Sequence, residues 1–382
     1  MVQPAAVVEG FLRGNCGMSS LAGKVLRRLA AEIREFRRWE KLCDPSDIRV
    51  YYGMDVLPWR GETVSGGIVK CLDLAERYPN VAANPNLLYL VSSVLPDRRE
   101  LLTRAAKRAR ARVVLNQNGV AYPAWAGPLW REQNVPNAYV HARADYVIYQ
   151  SKFCQRCAER FLGGRTGPSQ VLYNPVDIET FVPRPDYNCA GRSPVLLAAG
   201  SHHDSYRVRI ALTALAMVRR RGIDTRLLLA GRLVWGNEAE KELHQWISDE
   251  NLSGFVEYLG PYTQAEAPRL FQRADILLHM KVQDPCPRLV VEAMACGVPV
   301  VYSATGGTPE LVGDEGGTGI PCAEDFETMH APPDEAVAEG ILRILSSREI
   351  YARQARARAV RLFSAQEWTD RHAGIFQSLA GG

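Results

Sequence analysis

Long hydrophobic runs are missing from this 382-residue chain. No stretch approaches the roughly eighteen uninterrupted apolar residues that a transmembrane helix needs, so none is expected. The opening residues, MVQPAAVVEGFLRGNCG, lack a basic start followed by a long apolar block, and no secretory leader is expected there. Cysteine is sparse and odd in number: nine residues scattered along the chain argue against a disulfide framework and for reduced thiols in a cytoplasmic protein. Excess charge is small as well. A formal net charge of +4 is too little, without basic and aromatic residues interleaved, to expect a nucleic-acid partner. No G-x-G-x-x-G opens a helix after a strand, which disfavours a dinucleotide-dependent dehydrogenase. Cys154 and Cys157 form a C-x2-C pair with no second pair after it, so no zinc site is expected.

What is present is ordinary for a folded chain: 47% hydrophobic and 23% charged residues exclude disorder, and the length suits two cores better than one. Residues 1–182 hold 25 Lys/Arg against 17 Asp/Glu, or +8; residues 183–382 hold 21 against 25, or −4. The polar, proline-bearing stretch 183–194 between these halves reads as a linker. Strands are predicted at 48–52, 87–91, 113–115, 146–149 and 171–173 in the first half. In the second they fall at 195–199, 225–230, 256–259, 276–279 and 298–302. Many are continuous Val/Ile/Leu runs, as strands covered on both faces should be, and helical patterns alternate with them. That repetition predicts an α/β chain of two doubly wound, Rossmann-like domains at 46–182 and 195–360, with ligands in the cleft beyond the strand ends. Residues 361–382 read as a C-terminal helix packing back on the first domain.

Residues 1–45 form an N-terminal extension. Within it, 19–42 reads as a basic helix with an apolar stripe of Leu21, Val25, Leu29, Ile33 and Phe36, ringed by Arg27, Arg28, Arg34, Arg37 and Arg38. Such a helix suits either an anionic membrane surface, hence a membrane-associated protein, or the flank of the first domain. The basic run from Arg98 to Arg112 has the same two readings.

The segment DPCPRLVVEAMACGVPVV, residues 284–301, carries the most chemistry. Pro287 suits a first helical position and Gly297 the residue past a helix end, which predicts a helix over 287–296. Its start follows the strand 276–279 and points into the cleft. The free amides of Arg288 and Leu289, with the positive end of the helix dipole, make a site for a diphosphate. Asp284 stands before the helix and Glu292 a turn inside it. Glu292 can accept hydrogen bonds from the vicinal hydroxyls of a ribose, or pair with Arg288 four residues earlier; both readings stay open.

This segment, with SATGGTPELVG at 303–313, resembles the signature of glycosyltransferase family 4, the group 1 retaining enzymes of the GT-B fold. Glu292 through Val301, with Gly306, Gly307, Pro309 and Glu310, match the family's pattern, and Asp284 stands where its first glutamate is usual. Tyr173-Asn174-Pro175-Val176-Asp177 and Ala144–Ser151 resemble further family segments, and Gly66 and Gly67 its paired glycines after the first strand. The resemblance implies a retaining transfer of a sugar from a nucleotide-diphosphate sugar to a hydroxyl acceptor, with Glu292 on the ribose and Asp284 on the sugar. The basic pair usual after the first strand of the second domain is altered: Gly200-Ser201-His202-His203-Asp204 intervenes, leaving Arg207 or Arg209 for the phosphates. No Asp-x-Asp is present, so no metal or other cofactor is expected. Asn116 and Asn118 are candidates for the acceptor side, where the family often has a histidine, or are plain turn residues. The acceptor expected is a carbohydrate or a lipid-linked molecule, as in polysaccharide assembly, with free sugars and proteins left open. Rival readings are a nucleotide-sugar epimerase of similar fold and a non-catalytic sugar-nucleotide-binding protein.

Overall fold

The computed structural model describes residues 30, 32–39, 47–59, 66–185 and 192–380. In the first domain β1 (Val50–Tyr51), β2 (Leu87–Val91), β3 (Arg112–Gln117), β4 (Tyr146–Tyr149) and β5 (Ser169–Val171) form one parallel sheet in that order. Helices α1 (Gly66–Ala75), α2 (Arg99–Arg108), α3 (Pro123–Ala126), α4 (Trp130–Arg143) and α5 (Lys152–Phe161) run between and after these strands. In the second domain the parallel order is β11-β10-β9-β6-β7-β8, built from β6 (Val195–Ala199), β7 (Arg226–Ala230), β8 (Val256–Gly260), β9 (Ile276–His279), β10 (Val300–Ser303) and β11 (Gly317–Ile320). Its helices are α6 (Tyr206–Arg220), α7 (Ala239–Asp249), α8 (Ala267–Arg273), α9 (Arg288–Ala295), α10 (Thr308–Val312), α11 (Asp334–Leu345) and α12 (Arg348–Phe363); α13 (Ala365–Ala380) follows.

Side chains alternate between the faces of the first sheet, and each face has its own helices. Tyr51, Leu88, Leu90, Val113 and Leu115 pack with Leu102 and Ala105 of α2 and Phe153 and Cys157 of α5. Val50, Tyr52, Leu87, Tyr89, Val91 and Val114 pack with Cys71 and Leu74 of α1 and with Trp368, Ile375 and Phe376 of α13. The chain therefore returns from the second domain to cover the first. The break falls at Ser364, four residues later than the sequence boundary: α12 still belongs to the second core through Phe363, and Val176 pairs across the junction with Ser364.

In the second sheet the order reverses between β6 and β9, which pair directly. Their following segments diverge to opposite faces and leave a crevice beyond the C-terminal ends of these two strands. β11 was not among the predicted strands, because its sequence, GTGI, is poor in strand formers. It needs those glycines: a Cβ on Gly317 would lie 1.9 Å from the Val300 carbonyl oxygen of β10.

Of the N-terminal extension, only residue 30 and residues 32–39 are described, and 32–37 are helical. Phe36 and Trp39 pack into the first core, and Arg38 bonds Glu35 and Asp55 beneath the Tyr51 ring. Here Arg38 is a structural cation, contrary to its place in the proposed basic ring, while Ile33 and Arg34 lie exposed. Leu21, Val25, Leu29, Arg27 and Arg28 lie outside the described residues. Among the described residues no helix is long and apolar enough to cross a membrane.

Candidate active site

Two loops fill the crevice at the reversal of the second sheet. After β6 the chain passes Gly200 in a left-handed conformation (φ +102°) and enters α6 through residues 201–205. After β9 it runs through residues 280–287 into α9, with Pro287 as the N-cap rather than the first helical residue. Gly297 follows the helix end at φ +71°, as its type predicts. The first amides of α9, those of Arg288 and Leu289, have no intrahelical acceptor, because a helix start offers none.

Four buried polar side chains converge there. Asp284 Oδ2 lies 3.1 Å from Lys281 Nζ and 3.4 Å from His279 Nε2. Burial alone would raise the Asp284 carboxyl, but Lys281 and His279 outweigh it and hold the group well below the usual carboxylate range. His279 is itself lowered by burial, despite Asp284. His202, on the neighbouring loop, is pushed down to about 4 by burial and by Arg207. Arg207, in the first turn of α6, is 8% exposed; it donates from Nη1 to the Ser201 carbonyl at 3.1 Å, and its Nε is buried without a partner. Its guanidinium thus stands near two histidines that burial lowers, and it lowers both further.

Arg209, the other candidate, takes the opposite side of α6. Its guanidinium lies exposed, 5.4 Å from the centre of the Trp246 ring of α7. Residues two apart on a helix differ by about 200° in direction, so one arginine facing the crevice turns the other away. Arg209 is accordingly withdrawn from the donor-binding set.

Of the two readings of Glu292, the pair with Arg288 is the one the structure contains. Glu292 is buried, and Oε1 accepts from Arg288 Nε at 3.0 Å and from Gln264 Nε2 at 2.8 Å. The pair with Arg288 is therefore real but not on a solvated face. Burial raises the Glu292 carboxyl, and Arg288 and Gln264 oppose that rise. Arg288 also reaches Asp73 of α1 at 3.4 Å, so one guanidinium ties the second domain's carboxylate to the first domain.

The first domain meets this loop through its strand ends. Gly67 lets α1 lie against the 92–94 turn, since a Cβ there would be 2.6 Å from Ser93 Oγ; Gly66 has open space around it, and Ser65 lies outside the described residues. Asn116 is fully buried at the end of β3, and Asn118 bonds Ser92 and Ser93. Both asparagines accept from Lys70 Nζ of α1, at 3.2 and 3.5 Å. Burial pushes this amine down to about 8. Sequence reasoning passed over Lys70, although a lysine on the stripe Gly67, Lys70, Cys71, Leu74 was an anomaly that could have marked it.

The paired glycines of the 303–313 segment serve close approach. Gly306 (φ +72°) would place a Cβ 2.7 Å from the Asp284 carbonyl oxygen, and Gly307 one at 1.9 Å from that of Pro285. Between the domains lies a cavity of about 340 Å³, walled by Ser92, Tyr122 and Trp125 on one side and by Lys281, Gln283 and Pro285 on the other. Asn116 and Asn118 stand behind that wall rather than in it. Among the described residues no cluster of three His, Cys, Asp or Glu side chains is arranged to hold a metal.

Residues 184–360, a little under half of the chain, match the family model "Glycosyl transferases group 1". The match falls on the second domain, and the chain as a whole has the GT-B fold. Among solved structures, HepE of Anabaena in complex with UDP aligns with a TM-score of 0.62 at 23% identity, over 81% of each chain. Sucrose-phosphate synthase of Thermosynechococcus elongatus aligns with a TM-score of 0.60 at 18% identity, over 82% of this chain and 76% of its own. Among curated relatives, D-inositol 3-phosphate glycosyltransferase of Pseudarthrobacter chlorophenolicus is 29% identical over 52% of this chain and 50% of its own. N-acetyl-alpha-D-glucosaminyl L-malate synthase of Bacillus anthracis is 26% identical over 48% and 45%. The chain spans about half the length of the curated relatives it matches.

Proposed function

We propose that the protein is a retaining glycosyltransferase of family 4 that moves a sugar from a nucleotide-diphosphate sugar to a hydroxyl acceptor. The observation that carries this reading is the placing of Arg207 and Asp284 on the two segments that leave the strand reversal of the second sheet, with Glu292 a turn into α9 and bonded to Arg288, which reaches α1 of the first domain. Breaking a glycosidic bond to a diphosphate leaves negative charge on the phosphate oxygens. Arg207 and the Arg288 and Leu289 amides are the groups placed to hold that charge, and the reading needs no metal. Glu292 accepts from the ribose hydroxyls, and Asp284, kept ionised, accepts from hydroxyls of the donor sugar. No carboxylate is assigned as a nucleophile; the acceptor hydroxyl attacks the face the phosphate leaves and passes its proton to the departing phosphate oxygen, which preserves configuration. Closure of the domains excludes water and favours transfer over hydrolysis. Relatives named for sugar transfer and a neighbour solved with UDP-glucose support the donor class.

The test is a thermal-shift screen of nucleoside diphosphates and their sugars, followed by Glu292→Ala. Loss of hydrogen bonds to a charged group should cost the best ligand about 1.5–3 kcal/mol, or roughly 10- to 150-fold in affinity. An unchanged response in the variant refutes the ribose contact. Release of nucleotide that rises with an acceptor separates a transferase from an epimerase, which needs none.

A further inference from the structure

Gln283 is an unusual residue in the loop before α9. Its backbone is left-handed (φ +52°), a conformation that a non-glycine residue keeps only when its surroundings hold it there. Two contacts do so. The Gln283 amide donates to Thr305 Oγ1 at 2.9 Å, and Gly306 packs so closely that a Cβ on it would be 2.7 Å from the Gln283 carbonyl carbon. The side chain is 1% exposed, yet neither its Oε1 nor its Nε2 has a hydrogen-bond partner. A buried carboxamide left unmatched in both halves is costly, so its place on the cavity wall points to a ligand that supplies both a donor and an acceptor. Across the cavity Asn137 shows the same sign: its Oδ1 is buried without a partner.

The rest of the wall narrows the ligand's chemistry. Among the described residues lining the cavity, Lys281 carries the only formal charge, and Asp284 compensates it at 3.1 Å. Ser92 and Ser93 accept from Asn118 and keep their own hydroxyl protons to donate. Trp125 is 61% exposed and offers an apolar ring of the kind that pairs with the CH face of a pyranose. Amides, hydroxyls and one aromatic plane match a hydroxyl-rich, uncharged ring, because a hydroxyl both donates and accepts. A phosphate or carboxylate would find no uncompensated cation on this wall.

We propose that Gln283 is a specificity-determining residue for the acceptor, its carboxamide selecting a neutral glycosyl unit held in this cavity. The proposal rests on the glycosyltransferase reading and deepens it by naming the class of acceptor. The experiment is saturation-transfer NMR on the full chain, with and without the nucleoside diphosphate giving the largest thermal shift. The probes are methyl glycosides of glucose, galactose, mannose and N-acetylglucosamine, with inositol phosphate and malate as anionic counterparts. At least one methyl glycoside should bind. Gln283→Gly removes the amide while leaving a residue suited to positive φ, so it should fold; it and Trp125→Ala should each weaken that glycoside about tenfold or more, a loss of about 1.4 kcal/mol. Gln283→Asn, which also tolerates this backbone, should restore part of the affinity. The nucleotide thermal shift should be the same in all three variants. Binding of the anions alone, binding of none of the probes, or an equal loss of nucleotide affinity in Gln283→Gly overturns the proposal. If the unmodified protein responds to no nucleotide, the glycosyltransferase reading fails separately, and the glycoside arm still decides the cavity.

Discussion

Glu310 of the second domain caps a helix of the first. Its Oε2 accepts the Lys152 amide and its Oε1 the Phe153 amide, each at 2.8 Å, where α5 begins. The helix's own N-cap, Ser151, accepts from the Cys154 amide at 3.0 Å and donates to the Pro285 carbonyl at 2.7 Å. The start of α5 is thus shared between the domains: a carboxylate answers the positive end of its dipole, and a hydroxyl fastens the loop that carries Asp284. Glu310→Ala should therefore loosen the domain junction by about 1.5–3 kcal/mol, the range for hydrogen bonds to a charged acceptor. Glu310→Gln, which keeps one acceptor oxygen, should lose less. Urea denaturation reads the loss, and a larger radius of gyration in small-angle scattering would place it between the domains. If Glu310→Ala unfolds with the midpoint of the unaltered protein, the cap carries no weight.

Arg207 and Arg209 give a paired test of the diphosphate contact. Arg207 faces the crevice with an unbonded Nε, whereas Arg209 lies over Trp246. A nucleoside diphosphate should bind more tightly than its nucleoside, and Arg207→Gln should reduce that advantage about 10- to 100-fold, as removal of one charge-assisted contact does. Arg209→Gln should leave it unchanged. Isothermal titration of both ligands against both variants decides the matter; equal behaviour of the two variants would assign the phosphate role to neither.

Much of this was legible from residue order, for physical reasons that differ between elements. Strands buried on both faces read as unbroken apolar runs, and Pro287 and Gly297 bracketed the helix that holds Glu292. The choice between Arg207 and Arg209 was not legible: α6 is apolar nearly all round, and Leu212 and Ala216 on the side of Arg209 are buried like Ala211 and Ala214 on the side of Arg207. Contacts made only by the fold were not legible either. Arg288 reaches Asp73, 215 positions away, and Glu310 reaches Lys152, 158 positions away; no local pattern encodes either pairing. Gln283 was hidden for another reason. Nothing in its type foretells a left-handed backbone, which is imposed by Thr305 and Gly306 from a neighbouring loop.

Lys70 makes stability depend on alkaline pH in a direction opposite to that of a salt-bridged lysine. Its amine is 4% exposed and bonds only neutral acceptors, Asn116 and Asn118, and burial lowers it from 10.5 to about 8. Below pH 8 the folded and unfolded chains both carry the charge, and the folded state bears the full cost of burying it. Between about 8 and 10.5 the folded protein sheds the proton while the unfolded chain keeps it, so the unfolded state binds more protons and stability rises with pH. Above that window nothing further changes. The rise should be about 3 kcal/mol, from roughly two and a half units at 1.36 kcal/mol each. Lys70→Met removes this titration and leaves the others, so the difference between the two denaturation free energies isolates it. Measured from pH 7 to 10.5, that difference should shift toward the unaltered protein as pH rises. Two parallel curves would show that Lys70 is hydrated or paired, and that the amine is not buried against the asparagines.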